Sequence, residues 1–263
     1  MNAETAQQYR DSAKLAARIN LHRKYGRGAG LANLADAIEI APGSAVLEVG
    51  CGPGRFWAAA APRLPAGLAI TLTDLSPGML DEALATVRGL GRWADVRGEV
   101  ADVCALPFAD GAFDVVLAMH MLYHARDADL AVSEIARVLR PGGRAIVTTN
   151  GPGNLGALHA LNRRAFGEAA RFPVDNVFNL ETGAPILRRH FASVETTRAV
   201  DELRVTDPAD VVAYLTSFPP GETADADGLA RLQRLTEAAF AAQGGVFPVA
   251  RDTGYMIARK AAA

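Results

Sequence analysis

Between Val46 and Phe56 the chain reads VLEVGCGPGRF, an apolar run that reaches Glu48 and then spends Gly50, Gly52 and Gly54 on alternate positions. Glycine is needed where backbone turns through positive φ or where a neighbour must come close, so this is a turn open to a ligand, with a carboxylate just ahead of it. Twenty positions after Gly54, Asp74 ends a second apolar run, AITLTD. A carboxylate there can accept from both vicinal hydroxyls of a ribose. Asp102 is followed by Val103 and by Leu106-Pro107-Phe108. That arrangement can accept from an adenine amino group while the next N–H donates to a ring nitrogen. The stretch MHMLYH, 119–124, gathers Met119, His120, Tyr123 and His124. His120, Tyr123 and His124 are the candidate catalytic bases, His120 first because it leaves a strand on the ligand side.

Each feature also has a plain structural explanation. The glycines make a tight strand-to-helix turn, Asp74 precedes a helix beginning at Ser76, Asp102 is a loop acid, and a histidine can bond backbone. Two phosphate-binding turns are excluded by spacing. The dinucleotide pattern G-x-G-x-x-G would need glycine where Arg55 stands, and no Gly-Lys-Ser/Thr follows. The first of these, the spacing after Gly52, speaks against a nicotinamide-dependent reductase. Cys51, inside the turn, suits a crowded site by its size, and Cys104 is expected to pack near the Asp102 loop. His120 and His124 are spaced for one helical face, but no third ligand stands near them, so no metal is expected.

The elements that must position these groups alternate along the chain. Strands are expected at 45–50, 69–74, 94–100, 113–119 and 143–150, with helices between them. Ser76 serves as N-cap and Pro77 as first residue of one of these helices, and Pro141 with two glycines closes another. The pattern predicts an α/β fold, a doubly wound, mostly parallel seven-stranded sheet with helices on both faces. Its last two strands are expected within 192–205 and 253–260. Such sheets bind ligands beyond the carboxyl ends of their strands, where strand order reverses. Helical cap and lid elements are expected at 1–40 and at about 151–190, leaving 41–263 as the main domain. Tyr9, His22 and Tyr25 of the first helical segment, and His159 of the lid, are secondary candidates. Arg163 and Arg164 are read as a solvated helix face.

The chain has 263 residues, enough for one large domain, with half of them hydrophobic and a formal net charge of −2. No basic surplus advertises a nucleic-acid partner, although the local patch RINLHRKYGRG keeps an RNA-directed enzyme as an alternative. Two cysteines are too few for a disulfide framework. No apolar signal core or bilayer-spanning run is seen, so a cytoplasmic protein without a membrane partner is expected.

Four motifs in order resemble the class I S-adenosylmethionine-dependent methyltransferases of the small-molecule, UbiE/type 11-like group. They are E-x-G-x-G-x-G at Glu48–Gly54, D-x-S-x-x-M-L at Asp74–Leu80, D-x-x-x-L-P-F…F-D at Asp102–Asp114 and L-x-P-G-G at Leu139–Gly143. The resemblance covers about residues 40–150. It implies S-adenosyl-L-methionine as cofactor and S-adenosyl-L-homocysteine as product. It places Glu48 near the ammonium of the methionine tail and Gly50, Cys51, Gly52 and Gly54 along that tail. Asp74 and Leu75 would lie at the ribose, with Asp102 and Val103 at the adenine and Met79 flanking its ring. Met119 and His120 would lie by the reacting sulfur. A small-molecule acceptor is implied, with the atom methylated open among O, N and C. A non-catalytic protein that binds the cofactor is a further alternative.

Overall fold

A computed structural model describes residues 13–26, 31–168, 170 and 177–263. Its centre is β1, Ala45–Val49, buried from Val46 onward, apolar on both faces except for Glu48. β2 (Ala69–Asp74) and β3 (Asp95–Val100) extend the sheet on one side, and β4 (Phe113–Met119) and β5 (Leu139–Asn150) on the other. β6 (Ser193–Val205) and β7 (Phe247–Arg259) complete the order 3-2-1-4-5-7-6. All neighbours are parallel except β7, which runs antiparallel to both β5 and β6. β7 is longer than its sequence signal. Val205 pairs with Phe247 and Ser193 with Arg259, so the pairing continues through residues outside the apolar core of TGYMIARK.

Helices cover both faces. On one face α2 (Leu31–Ala37), α3 (Arg55–Ala60) and α4 (Pro77–Gly89) pack on Val46, Ile70, Leu72 and Leu117. On the other, α5 (Ala128–Val138) and α7 (Leu180–His190) pack on Leu47, Val49, Val116 and Val147. The alternation of Val46 and Leu47 between the two cores is the period of two of a strand buried on both sides. α4 shows how local signals agree. Ser76 Oγ accepts from Met79 N at 3.3 Å, Pro77 opens the helix, and Met79, Leu80, Ala83 and Val87 form its buried stripe. Burying each larger member is worth about 1.5–3 kcal/mol.

A third cluster lies beside the sheet. α6 (Gly156–Phe166), α8 (Pro208–Leu215) and α9 (Ala226–Ala242) meet Leu203, Val205 and Val249 there, and Leu21 of α1 (Ala13–Tyr25) joins them. Polar contacts fasten α1 to α8: Asp210 accepts from Tyr25 Oη at 2.7 Å and Lys24 Nζ at 2.6 Å, and Arg18 donates to the Ser217 carbonyl at 2.8 Å. The described part of the stretch 151–190, expected as a lid, holds two helices. The apolar stripe of α7 is spent on the sheet and that of α6 on the third cluster, and neither helix reaches the cavity described below.

Candidate active site

The strand order turns back between β1 and β4, and a cavity of about 310 Å³ opens beyond their carboxyl ends. Its walls collect nearly all the residues singled out above. Glu48, Gly50, Cys51 and Gly52 follow from β1, while Asp74, Leu75 and Met79 follow from β2. Asp102 and Val103 come after β3, and Met119, His120, Tyr123 and His124 after β4. Of the cofactor and first-choice catalytic candidates, Gly54 is the exception.

The three glycines serve three purposes. Gly50 has φ 61°, and a Cβ there would sit 2.8 Å from Met121 Cβ. Gly52 has φ 51° and faces open space on the cavity wall. Gly54, with φ 78°, is pressed against α4 instead: its Cβ would lie 3.2 Å from Ala83 Cα and 3.3 Å from Val87. It lets α3 and α4 approach, not a ligand. The two positions should separate by assay. Both Gly→Ala changes carry the left-handed penalty of about 1–2 kcal/mol. Gly54→Ala adds a steric conflict with backbone, so denaturant unfolding should show the larger loss. Gly52→Ala should keep most of its stability and lose ligand binding, because its methyl group projects toward the cavity. Equal losses of stability in the two variants would contradict this division.

Asp74 is fixed by two backbone donors, Gly52 N to Oδ2 and Ser76 N to Oδ1, each at 2.9 Å. One carboxylate therefore ties the glycine turn to the start of α4 and still has lone pairs on both oxygens. Burial raises its pKa, against the pull of those N–H groups. Asp102 accepts from Cys104 N at 2.9 Å and from Arg126 Nε at 3.4 Å. Its loop is held by Arg137, which donates to the Leu106 and Phe108 carbonyls at 3.0 and 2.7 Å. The N–H of Val103, a buried residue, makes no hydrogen bond among the described residues. Glu48 is 1% exposed and accepts from Trp57 Nε1 at 2.7 Å. Desolvation pushes its pKa up to about 8; the Trp57 hydrogen bond opposes this and the charge of Asp74 adds to it. Burial, with Glu48 and Asp74 nearby, also drives the Cys51 thiol far up, so it stays protonated and unreactive.

His120 adopts φ 53°, rare for a residue with a side chain, and its N–H is shared between the Thr148 carbonyl and hydroxyl at 3.1 and 2.9 Å. β5 thus holds the backbone in a bend at the end of β4. Tyr123 and His124 follow in a short 3₁₀ turn, their rings 4.6 Å apart and edge to face. His22, His120 and His124 all have pKa values pushed down to about 4, chiefly by burial. Neighbouring charge adds to the shift, from Arg251 at His22, from His22 at His120 and from Arg18 at His124. All three imidazoles are neutral at pH 7. A depressed pKa stabilises the fold above the unfolded value of about 6.5 and ceases to do so as pH falls through the folded value. Stability measured by denaturant should therefore fall between pH 6.5 and 4, and the ring signals should not titrate above pH 5. Titration of these rings near 6.5 would refute the assignment.

Several lining residues carry no sequence signal of their own: Ile19 from α1, Arg55 and Phe56 from α3, and Met121. They become neighbours only through the packing of α1 and α3 around the glycine turn. His22 does not line the cavity, and only its protonated form would add to the shift at His120; Tyr25 is engaged with Asp210. His159 lies on α6 away from the cavity, and Arg163 faces Glu168. Tyr9 falls outside the described residues. Among the described residues no three His, Cys, Asp or Glu side chains form a metal-binding group, and no helix is long and apolar enough to cross a membrane.

A family model described as a methyltransferase domain matches residues 47–147, the stretch that contributes the four strand-end loops. Methyltransferase GfsG of Streptomyces halstedii is 37% identical over 111 residues, which span 42% of this chain and 39% of that protein. The chain thus matches well under half the length of the first curated relatives, 39% and 32%. The [4+2]-cyclase SpnF superposes with TM-score 0.61 at 23% identity, over 98% of this chain and 96% of that one. Phosphoethanolamine N-methyltransferase 2 of Haemonchus contortus, solved with S-adenosylhomocysteine, gives TM-score 0.53 at 22% identity over 87% and 52%. At these identities the two structures speak for the fold alone. The ordered motifs, the sheet order and the family match agree: residues 47–147 of this chain match a methyltransferase domain.

Proposed function

We propose that the chain transfers a methyl group from S-adenosylmethionine to a small-molecule acceptor. The observation that carries this is the convergence of Asp74, Gly52, Val103 and Met79 on one cavity at the switch point. The residues fit such a cofactor. Gly52 offers bare backbone on the wall, Asp74 keeps acceptor capacity beyond its two backbone donors, and the Val103 N–H is available. When bound, the cofactor supplies an electrophilic methyl on a sulfonium.

The chain's own part is placement. Asp74 would hold ribose hydroxyls, Asp102 and Val103 the adenine edge, and Met79 its face. Glu48 would meet the ammonium, and Met119 and His120 would stand near the reacting carbon. Ile19, Phe56 and Met121 give that region an apolar wall that excludes water. Holding an acceptor atom about 3–3.5 Å from the methyl, in line, is most of the catalysis required. Where the acceptor is a hydroxyl, His120, His124 or Tyr123 would take its proton; the two imidazoles are neutral and so able to accept. The small-molecule assignment is supported by the modest size of the cavity, about 310 Å³, and the absence of a basic surplus.

Calorimetric titration with S-adenosylhomocysteine tests the donor half, and transfer of isotope-labelled methyl to a panel of acids, phenols and amines tests the acceptor half. Absence of binding by well-folded protein would overturn the reading. Tight binding with no transfer to any acceptor would favour a cofactor-binding protein of another function.

A further inference from the structure

We propose that the acceptor carries an anionic group, a carboxylate or a phosphate, and that Arg23 and Arg55 grip it at the mouth of the cavity. This rests on the proposed methyl transfer and narrows its substrate class. Arg55, the first residue of α3, lines the main cavity and also a second hollow, walled by Ala17, Asn20 and Arg23 of α1. Ile19 is common to both spaces as well. Arg55 thus stands where the two spaces adjoin, and Arg23 shares the second hollow with it.

Those two differ from the other cations nearby. Lys24 is paired with Asp210, Arg126 with Asp102, and Arg18 is committed to Ser217. Arg23 donates at 3.0 Å only to the neutral amide oxygen of Asn20, and Arg55 has neither hydrogen bond nor ion pair among the described residues. Burial and then the charge of Arg23 disfavour the charged form of Arg55. Two like charges lining one hollow, with no acid on its wall among the described residues, are relieved by an oxyanion. The guanidinium fork suits both carboxylate and phosphate, which it binds through paired N–H donors. Inward of the pair the wall turns apolar at Ile19, Phe56 and Met121. The arrangement fits a molecule with an apolar body and an anionic end, and a bound anion would join α1 to α3 across the entrance.

The test follows the arginine Nε–H signals of the ¹⁵N-labelled full chain, with and without saturating S-adenosylhomocysteine. The probes are inorganic phosphate, benzoate and benzamide, and Arg23→Gln and Arg55→Gln serve for assignment. The expected result is a saturable one-to-one shift of the Arg23 and Arg55 signals with phosphate or benzoate and none with benzamide; the stronger of the two anions names the group. Either glutamine variant should weaken that binding at least tenfold, and Arg55→Lys, which keeps charge but loses the fork, at least threefold. Non-saturating shifts, an equal response to benzamide, or anion binding that survives the double variant would overturn the proposal. Failure of S-adenosylhomocysteine to bind the wild type would instead overturn the donor assignment, while the anion titration of the ligand-free chain still decides the arginine pair. Unfolding midpoints of all variants check that the fold is intact.

Discussion

Asp74→Ala is expected to weaken S-adenosylhomocysteine binding by at least 100-fold while leaving a folded protein. The side chain does two things at once. It accepts from Gly52 N and Ser76 N, setting the shape of the glycine turn against α4, and its remaining lone pairs face the cavity. A hydrogen bond to a charged partner is worth about 1.5–3 kcal/mol. Losing two ribose contacts of that kind corresponds to roughly 100-fold or more in affinity. Asp74→Asn should be nearly as damaging, although it is almost isosteric. Either orientation of the amide turns an NH₂ toward a backbone N–H, so one donor faces another. The comparison is diagnostic. If only charge mattered, raising the salt concentration would erode wild-type binding toward that of the asparagine variant. If geometry matters, the gap should persist at high salt. Near-wild-type affinity in either variant, measured by calorimetry, would remove Asp74 from the site.

Much of this site was legible in the sequence because its groups stand on strand ends. A strand buried on both faces announces itself by an unbroken apolar run, and the residue that follows it must emerge at the sheet's edge. Glu48, Asp74, Asp102 and His120 could therefore be placed on one side without coordinates. Gly54 could not be told from Gly52 by spacing, since its reason is the backbone of α4, some thirty residues away. Arg55 and Ile19 were illegible for a related reason. Each lies at a helix position whose direction is fixed by what the helix packs on, and α1 is oriented by Asp210 and Ser217 from the far end of the chain. The segment 151–190 was the hardest to read from its irregular, glycine-containing sequence; in its described part α7 carries Leu180, Ala184 and Leu187 at helical spacing, and that stripe packs on the sheet. The length of β7 was hidden, because its first residues, from Phe247 to Asp252, precede the apolar core of TGYMIARK and only their pairing with β6 makes them a strand.

Glu48 offers the second large effect, and it links stability to binding with opposite signs. Its folded pKa of about 8 lies above the unfolded value of 4.5, so the folded chain holds this proton more tightly. The resulting stabilisation is complete below pH 4.5 and is lost as pH rises through 8, a swing of a few kcal/mol at most. Glu48→Gln cannot ionise and can still accept from Trp57, so its stability should be flat across that window. At pH 8 it should melt several degrees above wild type, at roughly 2–4 °C per kcal/mol for a chain of this size, and at pH 5 the two should coincide. Binding should go the other way. A cofactor ammonium beside Glu48 favours the carboxylate, so binding at pH 7 should release close to one proton, read from calorimetry in buffers of different ionisation enthalpy. Wild-type affinity should then climb by up to about tenfold per pH unit between pH 5.5 and 7.5, the limit set by a single linked proton. In the glutamine variant both the proton release and the slope should vanish, with weaker binding at pH 7.5. A carboxylate kept mostly neutral until its ligand arrives is a poor choice for stability and a good one for a buried cation site. Proton-free, pH-independent binding by the wild type would show that Glu48 serves Trp57 alone.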